Sequence, residues 1–333
     1  MLDLRNKNIL LIAPSFFSYD IEIKHKLESY GAIVNLYDDR PSNHSIIKGI
    51  IRVNRNLIKP LIEKYYNKII KNSGSVNYDI IFFTKGESIT IKALQMLTNK
   101  YRDAKFVLYL WDSIENNKNP KIFNYFDRIL SFDRQDCTNN TGFIFRPLFY
   151  IDYFKKIGEE KKQIFHFDFS FIGTVHSDRY FILKDIIKNC NNSETSFKVI
   201  MYLPSKLLFW FRKITEKRFS KVPYSDIEFN SIPFKEVTEC FRFSKAIIDI
   251  QHPKQTGLTM RTIETLGAKK KLITTNKTVT EYDFYNSDNI HIMERDSPNI
   301  PLDFLISEYK ELPDYIYKKY SIDGWINDCL GNI

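Results

Sequence analysis

Lys245–Thr275 reads KAIIDIQHPKQTGLTMRTIETLGAKKKLITT, and the order of textures inside it decides the fold. A short apolar run, Lys245–Ile250, breaks into a polar loop holding Gln255, Thr256 and Gly257. From Leu258 to Ala268 the apolar residues Met260, Ile263 and Leu266 recur at helical spacing, and Leu272–Thr275 is apolar again. Strand, loop, helix and strand joined by short connections are the signature of an open, doubly wound parallel sheet.

The same alternation extends in both directions. Upstream in the second half, Asp168–Ile172 and Phe197–Tyr202 read as strands, with helices over Asp178–Lys188, Ser205–Phe219 and Pro233–Phe243. Downstream, Ile290–Met293 closes the sheet, and Pro301–Tyr309 and Pro313–Leu330 are helical. In the first half the strands are Ile9–Ala13, Ala32–Tyr37, Tyr78–Thr84, Lys105–Trp111, Arg128–Phe132 and Gly142–Arg146. Residues 150–166 are polar and basic and read as a linker. The 333 residues therefore divide into two Rossmann-like α/β domains, 1–150 and 151–333, with the last helix packing back on the first domain. Ligands of such sheets bind outside the carboxyl ends of the strands, which directs the search to strand-end loops and to the cleft between the two domains.

On the helix after Gly257, Arg261 and Glu264 stand three residues apart, on one face and toward its N-terminal half. A guanidinium there can fork a diphosphate, a carboxylate can accept from two ribose hydroxyls, and the amides around Gly257, Leu258 and Thr259 favour an anion. A plain surface Arg–Glu pair has the same spacing.

This segment resembles the nucleotide-sugar site of GT-B glycosyltransferases. Gly257-Leu258, Glu264-Thr265-Leu266-Gly267-Ala268 and Leu272-Ile273-Thr274-Thr275 fall without a gap into that family's pattern, followed by Thr280-Glu281 and Asp288-Asn289. The resemblance implies that Glu264 binds the donor ribose and that Arg261 or Thr259 binds the diphosphate. Two positions depart from it: Gly257 stands where the family carries a first Glu, and Lys269-Lys270-Lys271 replaces Gly-x-Pro. Tyr109–Ser113 and Ser131–Asp136 are similar to segments of the CgeB-like and lipopolysaccharide or capsule glycosyltransferases. The resemblance covers most of the chain as architecture and about thirty residues as motif.

Further candidates follow from position. Gly173 and Thr174 end the first strand of the second half and Arg179 follows them; in GT-B enzymes this loop faces the donor phosphates, and a tight strand–helix turn is the simpler reading. In the first half, Lys85-Gly86-Glu87 and Asp112-Ser113 follow adjacent strands. Asp112 and then Glu87 are the candidate bases for an acceptor hydroxyl, with Asp133 and Asp136 as alternatives, while helix capping is the competing role for Asp112. Ser15, after the first strand, is a candidate acceptor contact or a simple turn residue.

The chain carries +9 net charge, and that balance suits a polyanionic partner. Basic, aromatic helical stretches over Ile46–Lys71 and Ser205–Lys221 read either as surfaces for an anionic membrane or as ordinary surface helices. No Asp-x-Asp or His spacing suggests a metal, so no metal or cofactor is expected. Four scattered Cys, no membrane span and no leader point to a cytoplasmic protein, with the inner face of the cytoplasmic membrane as the alternative station. The expected partners are a nucleotide-sugar donor and a glycan or lipid-linked acceptor, and no nucleic acid. The rival readings are a non-catalytic nucleotide- or sugar-binding module and a nucleic-acid-binding protein.

Overall fold

The computed structural model describes residues 2–114, 120–190, 195–253, 257–331 and 333, with the backbone alone at 45, 46, 48, 52 and 53. The chain forms two compact units, Met1–Leu148 with Ile322–Ile333, and Phe149–Ser321. Each is built on one wholly parallel sheet.

In unit 1 the strands β1 (Asn8–Ile12), β2 (Ile33–Tyr37), β3 (Ile80–Phe83), β4 (Lys105–Leu110), β5 (Arg128–Ser131) and β6 (Phe143–Phe145) lie in the order β2-β1-β3-β4-β5-β6. β3 is buried at every residue, as a strand covered by helices on both faces must be. One face packs Ile81, Phe83 and Leu108 against Ile62, Tyr66 and Ile69 of the helix Lys59–Asn72 and Ala93, Leu94 and Leu97 of the helix Ile91–Lys100. Pro60 starts the first of these helices instead of interrupting it, because proline needs no amide partner in the first turn. On the other face the helix Ile322–Leu330 buries Trp325 between Phe82 and Tyr109, with ring centroids 5.5 and 5.0 Å away. Ion pairs from Lys26 to Asp323 (3.1 Å) and from Arg146 to Asp328 (2.8 Å) tie that helix down within the unit.

Unit 2 holds β7 (Phe167–Thr174), β8 (Phe197–Tyr202), β9 (Ser244–Asp249), β10 (Lys271–Thr274) and β11 (Ile290–Ile292), ordered β11-β10-β9-β7-β8. The sequence stretch read as a linker contains the helix Asp152–Gly158, whose Phe154 and Ile157 are buried while its lysines face out. Its Gly158 lies so close to the helix Met260–Gly267 that a Cβ would stand 2.6 Å from the Gly267 carbonyl. Lys269 takes the left-handed conformation (φ 50°) that usually selects glycine after a helix. Its neighbours Lys270 and Lys271 are buried, with Lys270 Nζ donating to Gln163 (2.9 Å) and to the Arg242 carbonyl (3.1 Å). The three lysines that replace Gly-x-Pro are thus anchored individually. Pro313–Leu330 is two helices, Asp314–Lys319 and Ile322–Leu330, which belong to different units.

Candidate functional site

Both sheets reverse their strand order at one place, β1/β3 in unit 1 and β7/β9 in unit 2. At such a switch point the connections leave in opposite directions and open a crevice beyond the carboxyl ends of the strands. The candidate residues of the sequence gather at these two places.

In unit 2, Gly173 and Thr174 end β7, and Asp249 ends β9 with its side chain fully buried. The helix Met260–Gly267 starts above them, capped by Thr259, whose hydroxyl accepts from the Thr262 amide at 3.2 Å. Asp249 holds that first turn in place. One of its carboxylate oxygens accepts from the Thr259 hydroxyl (2.6 Å) and the Thr262 hydroxyl (2.8 Å), and the other faces Arg261 Nη1 at 3.4 Å. Arg261 also donates to the Ile172 carbonyl and lies 5.2 Å over the Phe171 ring. Arg179 is buried beside it. Its Nε donates to the Ile250 carbonyl at 2.9 Å and its Nη1 to the Thr174 carbonyl at 2.8 Å.

The two guanidiniums flank Gly173, where a Cβ would come within 3.2 Å of Arg261 and 3.3 Å of Arg179. Burial, and then the charge of Arg261, bring the Arg179 pKa down to about 9. A third arginine, Arg295, pairs with Asp178 at 2.9 Å and donates to the Gln251 carbonyl at 2.6 Å. His176, its ring 5.3 Å from that of His252, is pushed down to about 4 by burial and by the neighbouring Arg179. This end of the sheet is therefore electropositive, and it disfavours further positive charge.

Glu264 is half-buried on the same helix as Arg261. Gly257 and Leu258 are buried, and the Gly257 carbonyl accepts from Asn276 at 3.3 Å. The first amides of the helix lack intrahelical acceptors, and that of Thr262 is taken by the Thr259 hydroxyl. Thr256 lies outside the described residues.

In unit 1, Lys85 joins the two candidate bases, lying 3.1 Å from Glu87 and 3.6 Å from Asp112. Glu87 is also paired with Arg40 at 3.0 Å; burial works against its charge, but Lys85 and Arg40 hold its carboxyl below the ordinary value. Beneath it Asp39 is fully buried and accepts from the amides of Glu87 (3.0 Å) and Ser88 (3.3 Å). Burial and the charge of Glu87 raise Asp39 to about 6. Asp112 is more open, its side chain 41% exposed, and it accepts from the Ser113 amide at 3.1 Å. The Ser15 amide donates to Asp38 at 3.2 Å, which places Ser15 in the turn between β1 and the next helix. Asp133 caps the helix Arg134–Asn139, and Asp136 accepts from Ser131 (3.1 Å) and the Ile114 amide (3.0 Å), so both are engaged locally.

Asp249, Arg40 and Arg295 were not singled out from the sequence. Asp249 had a signal, as a carboxylate at the end of an otherwise apolar run, Ala246–Ile250; Asp39 had only its adjacency to Asp38. Among the described residues no group of three or more His, Cys, Asp or Glu could hold a metal ion.

No family profile and no curated protein sequence matches the chain. Solved structures do. OtsA, in its apo form, aligns with TM-score 0.61 at 10% identity over 98% of this chain and 100% of its own. An alpha-glucosyltransferase in complex with UDP and a mismatched DNA 13-mer aligns at 0.54 and 15% identity, over 85% and 81%. The lipopolysaccharide outer core galactosyltransferase WaaB aligns at 0.51 and 12% identity, over 98% and 100%. The fold is that of GT-B glycosyltransferases, with two parallel-sheet α/β units.

Proposed function

We propose that the chain is a glycosyltransferase that moves a sugar from a nucleotide-activated donor to a glycan or lipid-linked glycan acceptor. The observation that carries this reading is the pair Arg261 and Arg179 on either side of Gly173, at the switch point of unit 2. Asp249 offsets only part of that charge, and a diphosphate laid across Gly173 would neutralise the rest. Arg261, with its side chain 21% exposed, is the direct contact, and Arg179 acts through its field. Glu264 takes the ribose hydroxyls.

In the transfer step the acceptor oxygen attacks the anomeric carbon and its proton passes to a carboxylate. The bond to the diphosphate oxygen breaks, and the electron pair leaves with the nucleotide. Asp112 is the accessible base, whereas Glu87 is committed to Lys85 and Arg40. Lys85 keeps Asp112 oriented. The arginines and the helix N-terminus take the place that a metal holds in other transferases, so the enzyme is metal-independent.

More finely, we assign it to lipopolysaccharide or capsule synthesis, near the CgeB-like group, on the cytoplasmic side of a bacterial membrane. The fold shared with WaaB and the basic helices support that assignment. A thermal-shift series with UDP, GDP, CDP, ADP and CMP tests the donor site. One nucleotide raises the melting temperature, and Glu264→Ala abolishes the rise. A folded protein that responds to none of them sinks the proposal.

A further inference from the structure

The helix Lys206–Thr215 carries Leu207, Trp210, Phe211 and Ile214 at i, i+3, i+4 and i+7, the spacing that ordinarily marks the face turned toward a core. Here the stripe faces outward: the four residues are 80, 53, 61 and 85% exposed. The side that docks is the opposite one. Phe209 is wholly buried, edge-on to Phe219, Tyr224 and Phe229 with ring centroids 5.5, 5.4 and 5.8 Å away. Arg212 seats the helix further, donating to the Val175 carbonyl at 2.7 Å and stacking 4.0 Å over Phe219. The outward stripe is therefore presented by a fixed helix.

The charge around it is one-sided. Between Ser205 and Val222 six Lys or Arg stand against one carboxylate, Glu216, which Arg212 already holds at 2.7 Å. Lys206, Lys217, Arg218 and Lys221 are all exposed. A second copy of this chain would bring like charge against like, which opposes self-association through this face. An apolar ridge with basic flanks matches the headgroup–acyl boundary of an anionic bilayer. Its place is also informative. The helix follows β8, and Val175 directly follows Gly173 and Thr174 at the end of β7, so the helix lies at the carboxyl end of the sheet.

We propose that this helix docks unit 2 on an anionic lipid surface, with Leu207, Trp210, Phe211 and Ile214 entering the boundary layer and the lysines lying on the headgroups. The purpose, bringing the donor site to a lipid-linked acceptor, rests on the function proposed above; the docking itself does not.

The full chain is sedimented with vesicles of phosphatidylcholine alone and of phosphatidylcholine mixed with phosphatidylglycerol. It binds the anionic vesicles, binding falls as salt is raised, and Trp emission shifts to the blue, a shift that Trp210→Phe removes. The triple variant Leu207→Ser, Phe211→Ser, Ile214→Ser binds at least about tenfold more weakly while keeping the parent's melting temperature and nucleotide response. Lys206→Gln, Lys217→Gln, Lys221→Gln weakens binding by about tenfold or more and flattens the salt dependence. Absence of vesicle binding, or undiminished binding by the apolar variant, overturns the proposal. So does a parent dimer that the apolar variant turns into monomers with vesicle binding unchanged, which gives the face to a second copy. Nucleotide response is read separately, so failure of lipid docking and failure of the transferase reading are told apart.

Discussion

Arg261 stands 3.4 Å from Asp249, twelve residues earlier in the chain and fully buried at the end of β9. The same carboxylate holds both hydroxyls of the helix's first turn, so one side chain sets the arginine and the helix start together. Asp249→Asn keeps the shape but removes the charge and one acceptor. It is expected to cost about 1–3 kcal/mol of stability and to weaken nucleotide binding, measured by denaturant unfolding and titration. Arg261→Lys keeps a charge without the fork, so it should lose affinity while leaving the melting temperature nearly unchanged.

Gly173→Ala probes the gap between the two guanidiniums. The added methyl meets Phe171 Cζ at 2.9 Å and both arginines at little more, so the side chains must part. The expected result is a loss of nucleotide affinity of about tenfold or more with a small stability change of about 1 kcal/mol. An unchanged dissociation constant would remove the diphosphate from this place.

The two carboxylates of unit 1 should separate by kind of effect. Asp112→Asn is expected to lower turnover by about 10²–10⁴ while the nucleotide response persists. Glu87→Gln instead loosens Lys85 and Arg40 and lowers the melting temperature of unit 1. Equal loss of turnover in both variants, with equal stability, would reverse these roles.

His176 gives unit 2 a pH dependence. Its imidazole titrates at about 4 in the fold against 6.5 ordinarily, so as pH falls the unfolded chain binds the proton first. The stability is fully present above pH 6.5 and drains away as the pH falls toward 4. His176→Gln should flatten that slope, and the difference between variant and parent isolates it. Asp39 acts in unit 1 with the opposite sign: raised from 3.8 to about 6, it removes stability as pH rises through that window.

Gly267 tests packing alone. A Cβ there would stand 2.4 Å from the ring of the buried Tyr150, so Gly267→Ala should cost about 1–3 kcal/mol, read by chemical denaturation.

The strands were legible because β1, β3, β4 and β9 are short apolar runs with glycine and polar residues at their ends, and the parallel order followed from the helices between them. The helix over residues 152–158 was hidden by surface lysines and glutamates, since only Phe154 and Ile157 mark its inner side. Gly173, Arg179, Thr259 and Arg261 could be named as candidates because strand-end loops are where such sheets bind ligands. The roles of Asp249 and Asp39 were not found: a buried carboxylate is specified by partners from other segments, and no spacing along the chain records them. Leu207, Trp210, Phe211 and Ile214 had the periodicity of a core face, and only the burial of Phe209 shows that the helix is turned the other way.

Unit 1 is interrupted in the chain, since Ile322–Ile333 completes a body that begins near the N-terminus. On the ribosome, its sheet must wait with the Phe82 and Tyr109 side of the core uncovered until all of unit 2 has been made and Trp325 emerges. Unit 2 is continuous and can mature first, so the order of assembly runs against the order of synthesis. A nascent chain arrested before Ile322 would hold a finished unit 2 tethered to an unfinished unit 1, the species a chaperone would meet.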